Sequence, residues 1–154
     1  MSLFSTKTPR GYDILGEFTA EFRNYKISSI RMDDAMPIMH WRNEQISALR
    51  QQRPLTEAEQ QLYFRDVVEP SFEQREPNLV LVRYTLQDTL IGYGGLVHID
   101  WETRSGEVSF LLKTNRTKDM YKYGMECGKS PVTRCLCDAQ QPVLYYIAMT
   151  AWNR

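Results

Sequence analysis

The chain has 154 residues, of which 42% are hydrophobic and 25% are charged, and its 19 basic side chains balance 19 acidic ones. This composition is typical of one globular domain with a sizeable core, and it excludes a disordered or fibrous chain. A net charge of zero argues against a nucleic-acid partner, which would require a surplus of Lys and Arg to displace counterions. The longest apolar run, Val143 to Met149, is far shorter than a membrane span, and the first twenty residues hold no secretory signal. We therefore expect a cytosolic protein with no membrane partner.

The first predicted elements are a strand and a helix. Residues 25–32, YKISSIRM, are rich in β-branched side chains and predict a strand. Asp33 or Asp34 then suits the start of a helix. The apolar side chains of this helix cluster on one side, at Met36, Ile38, Met39 and Trp41.

A second helix is predicted from about Glu57 to Glu69. Thr56 and Glu59 have the spacing of a capping box, and they follow Pro54. Apolar residues then recur at helical spacing, at Leu62, Phe64, Val67 and Val68.

Three antiparallel strands follow the second helix. The strands are NLVLVRYTL (78–86), TLIGYGGLVHI (89–99) and EVSFLL (107–112), and polar turns separate them. One strand, two helices and a three-stranded meander predict an α+β, or mixed α/β, domain. Gly94 and Gly95 lie inside a strand, where they indicate either a bulge or a place where a cofactor or substrate approaches the backbone.

The order of these elements resembles the GNAT superfamily of acyl-CoA-dependent N-acetyltransferases. The segments that carry the resemblance are HWRNEQISALR (40–50), LIGYGGLVHIDW (90–101) and GEVSFLL (106–112). They are most similar to the branch of ribosomal-protein and sugar-amine acetyltransferases, and the resemblance covers about residues 25–112. It implies a mostly antiparallel sheet flanked by helices. It also implies transfer of acetyl from acetyl-CoA, as cosubstrate, to a primary amine of a small molecule, an amino sugar or a protein N-terminus.

The resemblance also implies where acetyl-CoA binds. In the family the strand corresponding to EVSFLL separates from its next neighbour, and its opened backbone edge binds the amide arm of the cofactor. We therefore expect the cofactor to contact Phe110, Leu111, Leu112 and Lys113. An exposed strand edge favours such pairing, and it equally favours a homo-oligomer in which a second subunit covers the edge.

Glu107 and His98 are the candidate catalytic residues. An amine is largely protonated at neutral pH, so acetyl transfer needs a base. Glu107 opens the last strand, on the same face as Ser109 and Leu111, while His98 lies on the neighbouring strand and titrates near neutrality. Alternatively, Glu107 is a solvated turn carboxylate paired with His98 or Arg104, and His98 is a surface residue.

The candidate acceptor contacts are Trp41, Arg42, Asn43 and Tyr93. The resemblance places Trp41 to Asn43, at the end of the first helix, on the acceptor side. Arg42 offers a fixed fork for phosphate or carboxylate, and Tyr93 is expected to line the cleft. The alternative is that Trp41 and Tyr93 are core residues, Arg42 is solvated and Asn43 caps the helix.

The chain departs from the family pattern after Leu112. No Gln/Arg-x-x-Gly-x-Gly/Ala loop follows, although this loop binds the CoA pyrophosphate in the family, and only 42 residues remain. Residues 113–154 also hold 7 basic and 3 acidic residues, against 12 and 16 before them. We expect one domain over residues 1–154, with an altered or truncated ending from about residue 123. A non-catalytic acyl-CoA-binding or partner-binding module of the same fold is therefore the alternative function.

The cysteines of this tail, Cys127, Cys135 and Cys137, match no common zinc-ligand spacing, so no metal is expected.

Overall fold

The structure, a computed structural model, describes residues 11–17, 19–22 and 24–116. The predicted altered ending and its cysteines lie outside these residues. Five strands form one antiparallel sheet in chain order, which confirms the predicted α+β fold. The strands are β1 (Thr19–Phe22), β2 (Tyr25–Ser29), β3 (Val80–Leu86), β4 (Thr89–Asp100) and β5 (Ser105–Leu112). Strand β1 was not predicted, and it pairs with β2 through a tight hairpin.

The helices lie between β2 and β3. They are α1 (Ala35–Glu44), α2 (Glu57–Tyr63), a π-helical segment (Phe64–Val68) and α3 (Glu69–Ser71). Single helical turns occur at Met32–Asp34, Ile46–Ala48 and Thr114–Arg116. None of the helices in residues 11–116 is both long enough and apolar enough to cross a membrane.

The predicted capping box begins α2. The Glu59 N–H donates to Thr56 Oγ1 at 3.2 Å, and the Thr56 N–H donates to Glu59 Oε2 at 2.9 Å. The predicted apolar face is only half right, because Phe64 and Val68 are buried whereas Leu62 and Val67 are 50% and 41% exposed. The π-helical segment widens the helix at this point, so the 3.6-residue period used for the prediction does not hold across it.

A buried ion pair fixes the start of α1 against the sheet. Asp34 precedes the helix, as predicted, but its carboxylate does not cap α1. It accepts from the Arg31 N–H at 2.9 Å and pairs with the Arg83 guanidinium at 3.1 Å. Burial raises the pKa of Asp34, against the opposing effects of the Arg31 N–H and the Arg83 charge. The pair therefore anchors α1 to β3 and sets where the rest of the helix lies.

The meander follows the predicted pattern. Gln87 and Asp88 both adopt left-handed backbone conformations, with φ of 47° and 64°, as a two-residue hairpin turn requires. Gly94 and Gly95 do not form a bulge, because the pairing of β4 is continuous across them on both sides. Instead, a methyl group on Gly94 would lie 2.4 Å from Tyr84 Oη, and one on Gly95 would lie 2.0 Å from the Val80 carbonyl oxygen. The groups that approach these two glycines closely therefore belong to the neighbouring strands β3 and β5.

Candidate active site

A cleft opens between the helices and the last three strands. Its inner part is a cavity of about 290 Å³ between the side chains of α1, α2 and the middle of the sheet. The cavity continues into a wider groove of about 650 Å³. Four residues line both parts: Arg42, Tyr63, Val97 and Ser109. The cleft is therefore one continuous space in which the sheet is the floor and the helices are the walls.

Gly95 lies in the sheet beneath the cleft. It is paired with Leu81 on β3 and with Ser109 on β5, and both of these residues line the cavity. The Cβ of any other residue would lie against the Val80 main chain of β3, so the close pairing of the strands beneath the cleft requires glycine. Gly95 also has a φ of +135°, which few residues other than glycine adopt.

Arg42 lies at the junction of the cavity and the groove. Its Nη1 donates to Tyr93 Oη at 3.0 Å, and its Nε donates to Gln51 Oε1 at 3.2 Å. The structure thus brings together Arg42 and Tyr93, two of the four candidate acceptor contacts, and their role in binding an acceptor stays a prediction. Tyr93 is 8% exposed, so it is a core residue whose hydroxyl reaches the rim of the cleft.

Trp41 and Asn43 do not lie in the cleft. Trp41 is part of the hydrophobic core. Asn43 is not a helix cap either, because α1 continues to Glu44. Its Nδ2 donates to the Leu55 carbonyl at 2.9 Å, and its Oδ1 accepts from the Leu55 N–H at 2.7 Å and from Gln51 Nε2 at 2.9 Å. Asn43 therefore holds the loop between α1 and α2, which forms one wall of the cleft.

Glu107 faces the groove from β5. Alternation along the strand places it on the same face as Ser109, as predicted, and both residues line the groove. Its carboxylate is half exposed and lies 3.6 Å from Nη2 of Arg50, which comes from the loop after α1. Among the described residues, Glu107 pairs with Arg50 and not with His98 or Arg104, and the residue opposite it on β4 is Val97.

His98 also lines the groove, and its backbone is strained. The pairing of β4 and β5 shifts between Val97 and Asp100, so His98 lies in a bulge. Its φ is +52°, a left-handed conformation that is uncommon for a residue other than glycine. Bulges beside functional sites often redirect a side chain, and here the bulge places His98 in the same groove as Glu107.

The outer edge of β5 offers main-chain groups beside the cleft. The Lys113 N–H donates to the Ile91 carbonyl at 2.8 Å, so Leu112 and its partner Gly92 form a non-hydrogen-bonded pair. In an antiparallel ladder such pairs alternate with hydrogen-bonded ones. The main-chain groups of Phe110 and Leu112 therefore point away from β4, whereas those of Leu111 point toward it.

This alternation corrects the predicted set of cofactor contacts. Leu111 and Lys113 use their N–H groups within the sheet, so their main chains do not face the open edge. The Leu112 carbonyl accepts from Gln45 Nε2 at 2.8 Å, where α1 ends. Phe110 keeps both its main-chain groups at the edge, since no other strand in the described part of the chain pairs with β5 on that side.

Tyr63 is a cleft residue that the sequence analysis missed. It lines both the cavity and the groove. Burial raises the pKa of its hydroxyl, the neighbouring Tyr93 adds to this effect, and the charge of Arg42 opposes it. Helical periodicity gave no signal for Tyr63, because it ends α2 where the π-helical segment begins. Within residues 11–116, no group of three His, Cys, Asp or Glu side chains is arranged to hold a metal ion.

Comparisons with known proteins identify the family and the fold. Residues 27–126 match the family model described as an acetyltransferase (GNAT) domain. The chain belongs to the GNAT family. The match extends beyond Leu112 and includes the first residues of the segment that departs from the family pattern. A search of curated proteins found no match.

Two solved structures show that the chain has the GNAT fold. One is a chimera of spermidine N-acetyltransferase SpeG from Vibrio cholerae and hSSAT, with a TM-score of 0.59 and 15% identity over 82% of this chain. The other is a ribosomal-protein-S5-alanine acetyltransferase from Vibrio fischeri, with a TM-score of 0.57 and 14% identity over 86% of this chain. The chain spans 64% of the first structure and 68% of the second.

Proposed function

We propose that this GNAT protein is an N-acetyltransferase that transfers acetyl from acetyl-CoA to a primary amine. The observation that carries the proposal is the position of Glu107 on β5, in a groove beside the edge that no other strand of the described residues covers. An activated acyl group held along that edge would lie close to a carboxylate and to the space where an amine can enter. The acceptor is an amine of a small molecule, an amino sugar or a protein N-terminus, as in the branch that the sequence resembles.

The outer edge of β5 is suited to the amide arm of acetyl-CoA. The N–H and carbonyl of Phe110 and the N–H of Leu112 point outward, so an extended amide chain can add to the sheet as a further strand would. Acetyl-CoA supplies an acetyl group activated as a thioester. A second subunit covering β5 stays a prediction, and it would compete for the same main-chain groups.

Glu107 is proposed as the base that takes one proton from the ammonium group of the acceptor. The free amine nitrogen then bonds to the acetyl carbon, the carbon–sulfur bond of the thioester breaks, and the second proton lost by the nitrogen goes to the leaving thiolate, so the products are an amide and CoA. His98 is proposed to bind the acceptor or to assist the proton transfer, because its strained backbone directs it into the same groove. Arg42 and Tyr93 are proposed to hold the acceptor.

The test compares Glu107→Gln with the unchanged protein. Loss of a general base lowers rates by about 100-fold to 10,000-fold. We expect Glu107→Gln to lower amine-dependent release of CoA thiol by at least about 100-fold, while calorimetry shows unchanged binding of acetyl-CoA. Glu102→Gln, in the exposed turn before β5, is the control and should leave the rate unchanged.

Two other results would contradict the proposal. Equal rates for Glu107→Gln and the control would exclude Glu107 as the base. Binding of acetyl-CoA without acetylation of any amine would favour the non-catalytic acyl-CoA-binding module instead.

A further inference from the structure

The cleft contains an arginine, Arg42, whose charge is not neutralised by any carboxylate of the described residues. Arg50 pairs with Glu107 at 3.6 Å, and Arg53 pairs with Glu59 at 2.5 Å. Arg42 has no carboxylate within ion-pair distance among the residues that the structure describes. A positive charge in a partly enclosed space is costly unless an anion or water compensates it.

The partners of Arg42 position its guanidinium without neutralising it. Tyr93 and Gln51 are uncharged, and they accept two of the five N–H donors of the side chain. Gln51 is itself fixed, since its Nε2 donates to Asn43 Oδ1 and to the Arg53 carbonyl, each at 2.9 Å. The guanidinium is therefore held in place with three donors left for a ligand in the cleft.

We propose that the amine acceptor carries an oxyanion, either a carboxylate or a phosphate, and that Arg42 binds it. This inference rests on the proposed function, because it names the class of acceptor for the same cleft. A guanidinium fork matches the geometry of both oxyanions and forms charge-assisted hydrogen bonds with them. Tyr93 and Gln51 act as positioning residues.

Arg42 and Glu107 enter the cleft at different points along β4. The hydroxyl that holds Arg42 comes from Tyr93, whereas the residue opposite Glu107 is Val97, four residues farther along the strand. Four residues of antiparallel strand span about 13 Å between their Cα atoms. We therefore expect an acceptor whose anion and amine are separated by several bonds, as in an amino sugar phosphate or an ω-amino acid, and not adjacent as in glycine. Spermidine, after which one structural neighbour is named, is a polycation that Arg42 repels.

Matched pairs of amines test this inference. The two members of each pair share an amine, and only one of them also carries a carboxylate or phosphate: 6-aminohexanoate with hexylamine, and glucosamine 6-phosphate with glucosamine. We expect kcat/KM to be about 10-fold to 100-fold higher for the anionic member of at least one pair, and the pair that responds distinguishes carboxylate from phosphate. Glycine and spermidine should be poor substrates. Equal or greater turnover of hexylamine, glucosamine and spermidine would overturn the inference.

Substitutions at Arg42 assign the preference to this residue. Arg42→Gln should remove the preference, so that the ratio of the two kcat/KM values within the responding pair falls to about 1, whatever happens to the absolute rates. Arg42→Lys keeps the positive charge but loses the paired N–H donors of the guanidinium, so it should retain part of the preference. This variant also serves as the control for folding. Arg65→Gln is the matched control, because Arg65 is exposed, pairs with Asp66 and does not line the cleft. A preference that survives Arg42→Gln would overturn the inference.

A binding measurement separates this inference from the proposed function. Without acetyl-CoA, 6-aminohexanoate or glucosamine 6-phosphate should raise the melting temperature of the protein, and Arg42→Gln should abolish the shift. A shift that depends on Arg42, without acetylation of any amine, would support the anion site and contradict the acetyltransferase. Acetylation of amines that carry no carboxylate or phosphate, without such a shift, would support the acetyltransferase and contradict the anion site.

Discussion

Replacement of Asn43 by alanine should loosen the wall of the cleft. The Asn43 amide makes three hydrogen bonds, two with the Leu55 main chain and one with Gln51. Gln51 in turn holds the guanidinium of Arg42. Asn43→Ala therefore removes the contacts that fix the loop between α1 and α2, and it frees the partner of Arg42.

The size of the effect follows from the number of bonds lost. A typical hydrogen bond contributes about 1 kcal/mol net, so three bonds correspond to about 3 kcal/mol of unfolding free energy. For a domain of this length, that loss lowers the melting temperature by about 6–12 °C. Asn43→Asp keeps the oxygen that accepts from Leu55 and Gln51, but its second oxygen faces the Leu55 carbonyl oxygen without donating, so it should cost at least about 1 kcal/mol.

Urea unfolding and hydrogen exchange measure this prediction. The free energies of unfolding of the two variants should differ by up to about 2 kcal/mol, from the two hydrogen bonds that only Asn43→Asp retains. Exchange of the Leu55 amide should accelerate more in Asn43→Ala than in Asn43→Asp, because only alanine removes its acceptor. A loss below about 0.5 kcal/mol for Asn43→Ala, with unchanged exchange at Leu55, would refute the assigned role of the loop contacts.

Three further predictions concern stability. Gly95→Ala should lower the free energy of unfolding, measured in urea, by at least about 2 kcal/mol, because Gly95 has a positive φ and its Cβ would meet the main chain of β3. The control Gly106→Ala, at an exposed glycine, should change this free energy by less than about 0.5 kcal/mol. Burial raises the pKa of Tyr12 to about 12, above its usual 10.0. The contribution of Tyr12 to stability should therefore be constant below pH 10 and fall as the pH rises toward 12. Tyr12→Phe should remove this alkaline step in pH-dependent unfolding. Hydrogen bonding to Arg53 lowers the pKa of Glu59 from 4.5 to about 2, so its contribution should be present above pH 4.5 and lost as the pH falls toward 2. The stability difference between Glu59→Gln and the unchanged protein should accordingly shrink between pH 6 and pH 3, and a constant difference would contradict this role.

The local order of the fold was predictable because it depends on short-range signals. The capping box at Thr56, the left-handed turn at Gln87 and Asp88 and the alternation of β5 are all encoded within a few residues. Strand β1 was not predicted, since four residues carry too little periodic signal. Leu62 and Val67 were assigned to the buried face because a π-helical segment changes the helical period, and sequence spacing does not reveal it.

The candidate site was only partly predictable, because it depends on long-range contacts. Alternation placed Glu107 on the cleft face, and the resemblance to the family placed Arg42 on the acceptor side. The roles of Asn43 and Gln51 depend on how the loop after α1 folds back, which local patterns do not determine. The inward main chain of Leu111 follows from the register between β4 and β5, and a single sequence does not specify that register.

An amide NMR titration with acetyl-CoA tests the central claim most directly. If the outer edge of β5 and the adjoining groove form the acetyl-transfer site, saturating acetyl-CoA should shift the amide signals of Phe110 and Leu112, which point outward. It should slow their hydrogen exchange more than that of Ser109 and Leu111, whose N–H groups bond to β4. Binding of acetyl-CoA that leaves the amides of β5 unchanged, or the absence of binding, would contradict the claim.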